Sequence, residues 1–342
     1  MPRKWIPNWL TGSRNKAQTG TCVYLSGSAA ATVHGESYAA PEGGEERFRL
    51  AVRADPVSNV DDFTAVLREQ SKSLQLRSPD AHVVLAPEFY TLSLVERPPV
   101  ADDELVEAVR WIVQDNVDYP MEQASLDVFD LPKAASRDRD MVFVAVARKE
   151  FLAKRIAQLE DAGFYATSVG ITELSMRNLI ATLFPEPDQS IGLVRMTSNS
   201  GLINVSRAAD LFLSRRITGV PGDFSEHAWD SFKEQLLLQV QRSVDYYESA
   251  MAQPACNALL VATTHSWQVR VCEFLNEMLP VPIRSVTEVL ADRFEVVLHN
   301  PDPVAVNWDD VCTTEANALT AALPALGGLL HNLRPQVLEE AA

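Results

Sequence analysis

Two strand–turn–strand units, one in each half of the chain, constrain its fold more than any other feature. The first runs from Thr21 to Glu36 around Ser26-Gly27-Ser28, and the second runs from Ser190 to Val205 around a polar turn at 197–201. Apolar residues flank both polar turns, which is typical of β-hairpins. Helices and strands alternate after each hairpin, so the pattern predicts two lobes with one mixed sheet each.

Hydrophobic periodicity predicts the other elements. In the first half it predicts strands over 47–54, 82–86, 91–95, 141–147 and 165–169, and helices over 60–76, 149–162 and 171–183. In the second half it predicts strands over 211–216 and 257–263, an extended segment over 281–284, and helices over 225–250, 267–279 and 313–330. Gly163 stands where a helix C-terminal cap is expected, and Pro185 to Asp188 separates the halves.

The segment from Glu104 to Pro132 changes its periodicity midway. Its first part carries a helical apolar stripe: Leu105, Val109, Ile112, Val113 and Val117, with Trp111 at the edge. Asp102 and Asp103 are placed to cap this helix and to interact favourably with its dipole. Tyr119-Pro120 is expected to end it, because the residue before proline disfavours the helical conformation. The alternation after Pro120 predicts a strand that stops before Pro132.

Charge and cysteine content exclude several classes of protein. The formal net charge of −16 argues against a general nucleic-acid binder, because affinity for phosphates comes largely from clustered lysine and arginine. The chain has no Cys-x-x-Cys pair, which suits reduced cysteines in the cytoplasm. Its six histidines lack metal-ligand spacing, and it has no Gly-x-x-x-x-Gly-Lys-Ser/Thr phosphate loop.

The first 20 residues form a basic and aromatic tail. No apolar run in the chain approaches the roughly 20 residues that span a bilayer, and the tail lacks the apolar core of a secretory signal. Trp5 and Trp9 stand among lysines and arginines, so the tail could contact a membrane interface peripherally. Pro2 and Pro7 weaken the helix that such contact needs, and a frayed tail is the alternative.

Two segments resemble cytoplasmic type IV pilus assembly proteins of the PilM/MshI kind. Trp111 to Pro132 matches their Trp…Tyr-Pro-x-Glu…Leu-Pro pattern through Trp111, Asp115, Tyr119, Pro120, Glu122, Asp127, Leu131 and Pro132. Gln239 to Glu248 resembles their Arg-Ser-x-x-Tyr-Tyr helix through Arg242, Ser243, Tyr246 and Tyr247. The resemblance extends over residues 21–330 but is specific at these two segments. The most similar branch, MshI, serves pili of the mannose-sensitive-haemagglutinin (MSHA) type.

The resemblance implies a bilobal actin-like fold of the FtsA/PilM, ribonuclease H-like type, with a mixed sheet flanked by helices in each lobe. It implies a first lobe over 21–188, with a small subdomain inserted at about 105–183, and a second lobe over 189–342. It further implies a cytoplasmic scaffold, peripheral to the inner membrane, that binds the cytoplasmic N-terminal tail of a PilN-like partner and meets other pilus biogenesis components. An extended apolar tail of this kind could add to a sheet edge or fill a groove.

The phosphate-binding hairpins depart from the pattern that the resemblance implies. PilM-like chains typically show Asp-Ile-Gly-Ser-x-x-x-Lys in the first hairpin, and actin-like proteins carry an acidic residue on each opening strand. Here Tyr24 and Ala31 replace the first aspartate and the lysine, and Arg195 replaces the second aspartate. Thr263-Thr264-His265-Ser266 also stands in place of the Gly-Gly turn beside the adenine.

These departures remove the hard oxygen ligands that Mg²⁺ prefers and the glycines that let a loop approach phosphates closely. We therefore predict a pseudo-ATPase scaffold, without catalytic residues, a metal site or a required cofactor. If ATP with Mg²⁺ binds weakly, the candidate residues are those of the hydroxyl-rich turns: Ser26, Gly27, Ser28, Thr197, Ser198, Asn199, Thr263 and Thr264. The alternative is that these are ordinary polar turns.

Two other functions stay open from the sequence. An active actin-like ATPase with unusual ligands would bind MgATP and turn it over. The cytoplasmic actin-like domain of a type II secretion protein of the GspL kind would continue into a membrane helix, which the chain as far as Ala342 lacks. The carboxylates Glu122, Asp127 and Asp130 are expected in surface hydrogen bonds rather than acid–base chemistry.

Overall fold

A seven-stranded sheet and a five-stranded sheet form the two halves of the molecule, and a three-stranded sheet packs against both. The computed structural model describes residues 19–39, 46–136, 139–198, 200–223, 225–263, 265–300, 302–309, 311 and 313–333. None of the helices in these ranges is long and apolar enough to cross a lipid bilayer.

The strands are β1 (Thr19–Leu25), β2 (Ala29–Tyr38), β3 (Arg47–Pro56), β4 (Asp80–Leu85), β5 (Thr91–Glu96), β6 (Ala124–Asp130), β7 (Met141–Arg148), β8 (Tyr165–Ile171), β9 (Ser190–Thr197), β10 (Ser200–Arg207), β11 (Asp210–Arg216), β12 (Ala258–Ala262), β13 (Ile283–Ser285), β14 (Phe294–His299) and β15 (Pro303–Ala305). The helices are α1 (Phe63–Ser73), α2 (Asp102–Ile112), α3 (Lys149–Asp161), α4 (Thr172–Leu183), α5 (Glu226–Asp245), α6 (His265–Met278), α7 (Val286–Leu290) and α8 (Thr313–Leu333).

The two large sheets share one layer of helices. Their strand orders are β15-β14-β3-β2-β1-β4-β8 and β11-β10-β9-β12-β13. Helices α4 and α8 lie between the sheets, where their apolar side chains join one core with residues of β1 and β9. Helices α1 and α3 cover the outer face of the seven-stranded sheet, and α5 and α6 cover that of the five-stranded sheet.

Both faces of the opening strands are buried, because helices cover each large sheet on both sides. In β1, Cys22 and Tyr24 point into the core shared by the two sheets, whereas Val23 and Leu25 point toward α1 and α3. This period of two matches the geometry of a β-strand. The polar turns that follow β1 and β9 therefore project from rigid, fully covered strands.

The pairing of the last strands differs from the lobe limits expected from the sequence. The expected limits assign residues 294–305 to the second lobe, but β14 pairs in parallel with β3, and α8 packs on β1 to β4. The rings of Phe48 and Phe294 stack across this pair, with their centroids 5.2 Å apart. The small sheet, in the order β5-β7-β6, occupies residues 91–148 rather than 105–183.

Helix α2 ends earlier than predicted. It stops at Ile112, and a 3-10 turn at Gln114–Asn116 follows, where the Asn116 amide donates to the Ser93 hydroxyl over 2.9 Å. Asparagine favours such local turns because its side chain competes with helical hydrogen bonds. Ile112 was expected on the buried stripe but is exposed. The N-cap residue is Ala101, without a side-chain cap, so the cap predicted at Asp102 or Asp103 is wrong.

The long helix α5 agrees more closely with its prediction. The Ser225 hydroxyl accepts a hydrogen bond from the Ala228 N–H, as expected of an N-cap. The helix then becomes a π-helical turn at Tyr246–Ala250, which the sequence did not predict. Gly163, with φ of +92°, follows α3 in the left-handed conformation that a C-terminal cap needs.

Gly327 determines how closely α8 approaches α4. A Cβ atom at this position would lie 1.9 Å from the carbonyl oxygen of Ser175 in α4, which is far inside van der Waals contact. The backbones therefore touch directly, and any larger residue would push the helices apart. Because the two helices form the layer between the large sheets, this contact sets the distance between the lobes.

We expect Gly327→Ala to destabilise the protein by about 1–3 kcal/mol, as overpacking does. The sign of the change in unfolding free energy distinguishes a tight helix contact from an open one, because glycine-to-alanine exchange inside an unhindered helix stabilises by up to about 1 kcal/mol. Gly27→Ala is the control, since a Cβ there meets its nearest atom at 3.6 Å. Urea unfolding measures both variants, and a stability of Gly327→Ala equal to or above the wild type would contradict the described crossing.

His82 is a buried base in the core beside α8. Its ring lies 5.7 Å from that of His331, and its Nδ1 is 2.7 Å from the Ser168 hydroxyl. Burial, with a smaller contribution from the charge of His331, lowers the pKa of His82 from 6.5 to about 4. A base with a lowered folded-state pKa stabilises the fold above its unfolded pKa, and the stability is lost as the pH falls.

We therefore expect the free energy of unfolding to fall by about 3 kcal/mol between pH 6.5 and pH 4 through this group. His82→Gln, which cannot be protonated in this range, should flatten that part of the profile. Urea titrations at several pH values measure the effect, with the exposed His227→Gln as the control. An unchanged slope in His82→Gln would show that other groups cause the acid sensitivity.

Candidate functional site

The fold brings the two predicted polar turns to one cavity between the large sheets. The cavity has a volume of about 440 Å³, and it is bordered by the end of β3 and the first turns of α8. Four of the predicted residues line it: Ser26, Ser28, Thr197 and Ser198. Because β1 and β9 both end at this cleft, each strand delivers its turn to the same place.

The other predicted residues are placed differently. Gly27 lies in the first turn but not on the cavity wall. Thr263 is buried, and its carbonyl oxygen accepts a hydrogen bond of 3.1 Å from the Thr320 hydroxyl of α8. Asn199 and Thr264 lie outside the described residues. Binding of a nucleotide by any of these residues stays a prediction.

The hydrogen-bonding groups of the first turn are used within the protein. The Ser26 hydroxyl accepts from the Ala29 N–H and donates to the Ala29 carbonyl, both at 2.9 Å. The Gly27 N–H donates to a carboxylate oxygen of Glu88 over 2.8 Å. In a phosphate-binding loop such backbone N–H groups face the anion. Here a carboxylate of the protein itself occupies that position at Gly27.

Tyr24 and Arg195 meet at the floor of the cavity, one from each large sheet. The Arg195 guanidinium carbon lies 5.4 Å from the centroid of the Tyr24 ring. Both residues are almost completely buried, with 3 % and 5 % of their surfaces exposed. Burial raises the pKa of Tyr24, and the positive charge of Arg195 partly offsets this. A neutral phenol and a cation thus stand where the resemblance implies two aspartates.

The arginine also ties the cavity floor to α8. Its Nε donates to the carbonyl oxygen of Thr320 over 3.3 Å. No carboxylate oxygen of the described chain lies within 4.0 Å of its guanidinium. Within the same part of the chain, no group of three or more His, Cys, Asp or Glu side chains has a geometry that suits a metal ion.

Asp55 is a carboxylate on the cavity wall, but it has partners of its own. It forms an ion pair with Arg53, at 2.8 Å and 3.1 Å from the two guanidinium nitrogens. The Gln70 amide donates to the same carboxylate over 2.9 Å. These contacts neutralise its charge and orient it along β3, so it is not aimed at Arg195 as a counter-ion.

A second polar cluster, which the sequence did not reveal, connects the lobes through the buried Tyr90 and Glu173 and the exposed Arg216. The Tyr90 hydroxyl donates to the Glu173 carboxylate, and Arg216 of β11 donates to the Tyr90 carbonyl over 3.1 Å. Burial raises the pKa of Glu173, and burial with the nearby Glu173 charge raises that of Tyr90 well above its usual value. The sequence signal for this cluster was Glu173 in the first turn of the apolar helix α4. A glutamate at that position is equally typical of a surface residue that interacts favourably with the helix dipole.

The carboxylates of the first motif lie on the surface, as predicted, and not in the cleft. Glu122 is exposed in a 3-10 turn. Asp127 accepts a hydrogen bond of 2.8 Å from the Val128 N–H. Asp130 forms an ion pair of 2.6 Å with Arg97. None of the three lines the cavity between the hairpins.

Comparison with solved structures identifies the class of fold. No family model matches the sequence, and no curated protein matches it. The structure of a PilM–PilN type IV pilus biogenesis complex matches 92 % of this chain and 98 % of that chain, with 18 % identity and a TM-score of 0.65. The chain therefore has the actin-like ATPase fold, which confirms the predicted fold class.

Two further structures are less similar. The cytoplasmic domain of EpsL, an inner-membrane component of the Vibrio cholerae type II secretion system, matches 80 % of this chain and 93 % of that one at 15 % identity, with a TM-score of 0.44. A Bacteroides thetaiotaomicron protein of unknown function with an actin-like ATPase fold matches 80 % and 92 % of the two chains at 11 % identity, with a TM-score of 0.47.

The Glu88 contact predicts how the first turn responds to mutation. Glu88→Ala should destabilise the protein by about 1 kcal/mol, since an exposed turn loses one charge-assisted hydrogen bond. Glu88→Gln retains an acceptor oxygen and should lose less. Urea unfolding gives the stability, and hydrogen exchange should speed up at the Gly27 amide in the alanine variant. Equal exchange rates in Glu88→Ala and the wild type would mean that the turn does not depend on Glu88.

Proposed function

We propose that the protein is a cytoplasmic scaffold of a type IV, MSHA-like pilus biogenesis complex at the inner membrane. In this role it binds the cytoplasmic N-terminal tail of a PilN-like membrane protein and contacts other pilus biogenesis components. The observation that carries the proposal is the match to PilM in complex with PilN, which extends over nearly the full length of both chains. The two PilM/MshI-like sequence segments support the same assignment.

Of the residues in the two PilM/MshI-like segments, some pack inside the protein and two aromatic residues are exposed. Tyr247 is buried, and its hydroxyl lies 2.6 Å from that of Ser190 at the start of β9. Ser243 donates to the Gln239 carbonyl over 2.7 Å within α5. In contrast, Trp111 is 72 % exposed, and Tyr246 is also exposed, with the Arg215 guanidinium carbon 4.5 Å from its ring centroid.

The chemistry of the cleft supports a scaffold without ATPase activity. A magnesium ion would approach the positive charge of Arg195, and Tyr24 presents a neutral phenol that is a poor ligand for a hard cation. The Gly27 N–H, which a phosphate would need, already binds Glu88. Each of these contacts opposes MgATP binding by a separate mechanism.

Membrane attachment follows from the proposed partner. A PilN-like protein inserted in the inner membrane would hold the scaffold at the cytoplasmic face through its tail. The basic N-terminal segment, with Trp5 and Trp9, would add a peripheral contact with lipid headgroups. This segment lies outside the described residues, so the proposal depends on its composition.

We expect the purified protein to bind a synthetic peptide of the PilN-like tail from the same cell with a Kd of roughly 10 µM or tighter. A peptide of the same composition in scrambled order is the matched control. Titration calorimetry with MgATP at millimolar concentration should give no binding heat, and phosphate release should stay at background. A PilM-like protein that retains the aspartate-containing hairpin serves as the positive control for both nucleotide assays.

The outcomes separate the candidate functions. Micromolar MgATP binding with turnover would overturn the scaffold assignment in favour of an active ATPase. No preference for the PilN-like tail over the scrambled peptide would remove the pilus assignment. Preferential binding of the equivalent tail from a type II secretion protein would instead assign the protein to that secretion system as a scaffold.

A further inference from the structure

Arg195 is a buried positive charge without a described counter-ion. It is 5 % exposed and lines the cavity. Its Nε donates a hydrogen bond to the neutral carbonyl of Thr320. Tyr24 beside it is a neutral phenol at physiological pH, since burial raises its pKa further above 10. Burial of an unpaired cation is costly, so proteins normally pair or ligate such groups.

Asp55 on the cavity wall and Glu88 near Tyr24 both have hydrogen-bond partners of their own. Asp55 is bound by Arg53 and Gln70, and Glu88 accepts the Gly27 N–H. The cavity therefore has a cationic floor and a wall whose acidic group is already neutralised. An anion that enters from solvent would meet the guanidinium without displacing an internal ion pair.

The remaining wall offers neutral hydrogen-bonding groups. Ser28, Thr197 and Ser198 border the cavity, and a hydroxyl group can donate a hydrogen bond to an oxyanion. Asn300 also borders it; its amide nitrogen donates to the Ala54 carbonyl, and its buried amide oxygen can accept a hydrogen bond from a hydroxyl or N–H elsewhere on a ligand. The volume of about 440 Å³ lies within the range of small-molecule pockets, which is roughly 300–1,000 Å³.

We propose that this cavity binds a small molecule through one phosphate or carboxylate group at Arg195, without a metal ion. Guanidinium binds such oxyanions through two parallel hydrogen bonds, which gives both affinity and orientation. In a magnesium–nucleotide site, protein carboxylates bind a cation, and the cation binds the phosphates. In the proposed site, a positively charged protein side chain binds the anion directly. The inference goes beyond the proposed scaffold function and does not depend on it, because the scaffold requires no small ligand.

The test titrates the full-length protein with inorganic phosphate, acetate and AMP, in EDTA and at constant ionic strength, with chloride as the reference anion. Calorimetry and thermal unfolding both report binding, since a ligand of the native state raises the melting temperature. We expect saturable stabilisation by at least one probe. Phosphate or AMP would indicate a phosphate-bearing ligand, and acetate alone would indicate a carboxylic acid.

Substitutions at Arg195 locate the site. Arg195→Gln should weaken binding at least about tenfold, which is the effect of one lost charge-assisted hydrogen bond. Arg195→Lys should retain part of the affinity, because it keeps the charge but not the two-pronged geometry. Arg284→Gln, on the surface beside Glu288, is the control and should bind like the wild type.

Several results would overturn the inference. The first is that no probe anion stabilises the protein more than chloride does. The second is binding that requires Mg²⁺, and the third is equal affinity in Arg195→Gln and the wild type. If Arg195→Gln does not fold, NMR of the arginine Nε–H groups in the wild-type protein decides instead. A shifted signal for the buried arginine during phosphate titration would support the site, and an unshifted one would exclude it. Binding of the PilN-like peptide is measured separately, so failure here leaves the scaffold proposal intact.

Discussion

The backbone contact between α8 and α4 is the constraint on which the arrangement of the two large sheets depends. Gly327 lets α8 lie directly on the Ser175 carbonyl, with no room for a Cβ atom. The paired helices then act as a single layer with apolar side chains toward both sheets. Because the N-terminal part of α8 borders the cavity, the same contact also sets the position of the cleft.

The cleft has the geometry of an actin-like fold, and its floor carries a phenol and a guanidinium. Two hairpins still meet between the lobes, yet the residues on their strands are Tyr24 and Arg195, and the Gly27 N–H is bound internally by Glu88. Geometry of this kind follows from strand pairing and helix packing, which tolerate exchange of a few residues at strand ends. Ion binding depends on those few residues, because it requires particular charges within a few ångströms. The shape of the cleft therefore does not by itself decide whether the cleft binds a nucleotide.

Local patterns in the sequence predicted the elements that position the cleft. Both hairpins, the long helix α5 and the glycine cap at Gly163 were predicted from periodicity and turn chemistry, and the structure contains them. The end of α2 was predicted wrongly because Asn116 forms a hydrogen bond with Ser93, and the residues around Asn116 do not indicate this contact. The elements α7, β14 and β15 were not predicted; β14 is held by parallel pairing with β3, which lies far away in the chain.

The sequence by itself determined the kind of each long element and the absence of acidic residues from the opening strands β1 and β9. These properties depend on neighbouring residues, through backbone preference and the period of apolar side chains. Only the tertiary structure decided that Tyr24 meets Arg195, that Glu173 is buried against Tyr90, and that residues 294–305 return to the first sheet. Such contacts join residues far apart in the chain, and they form where two packed surfaces exclude water together, which no local pattern records.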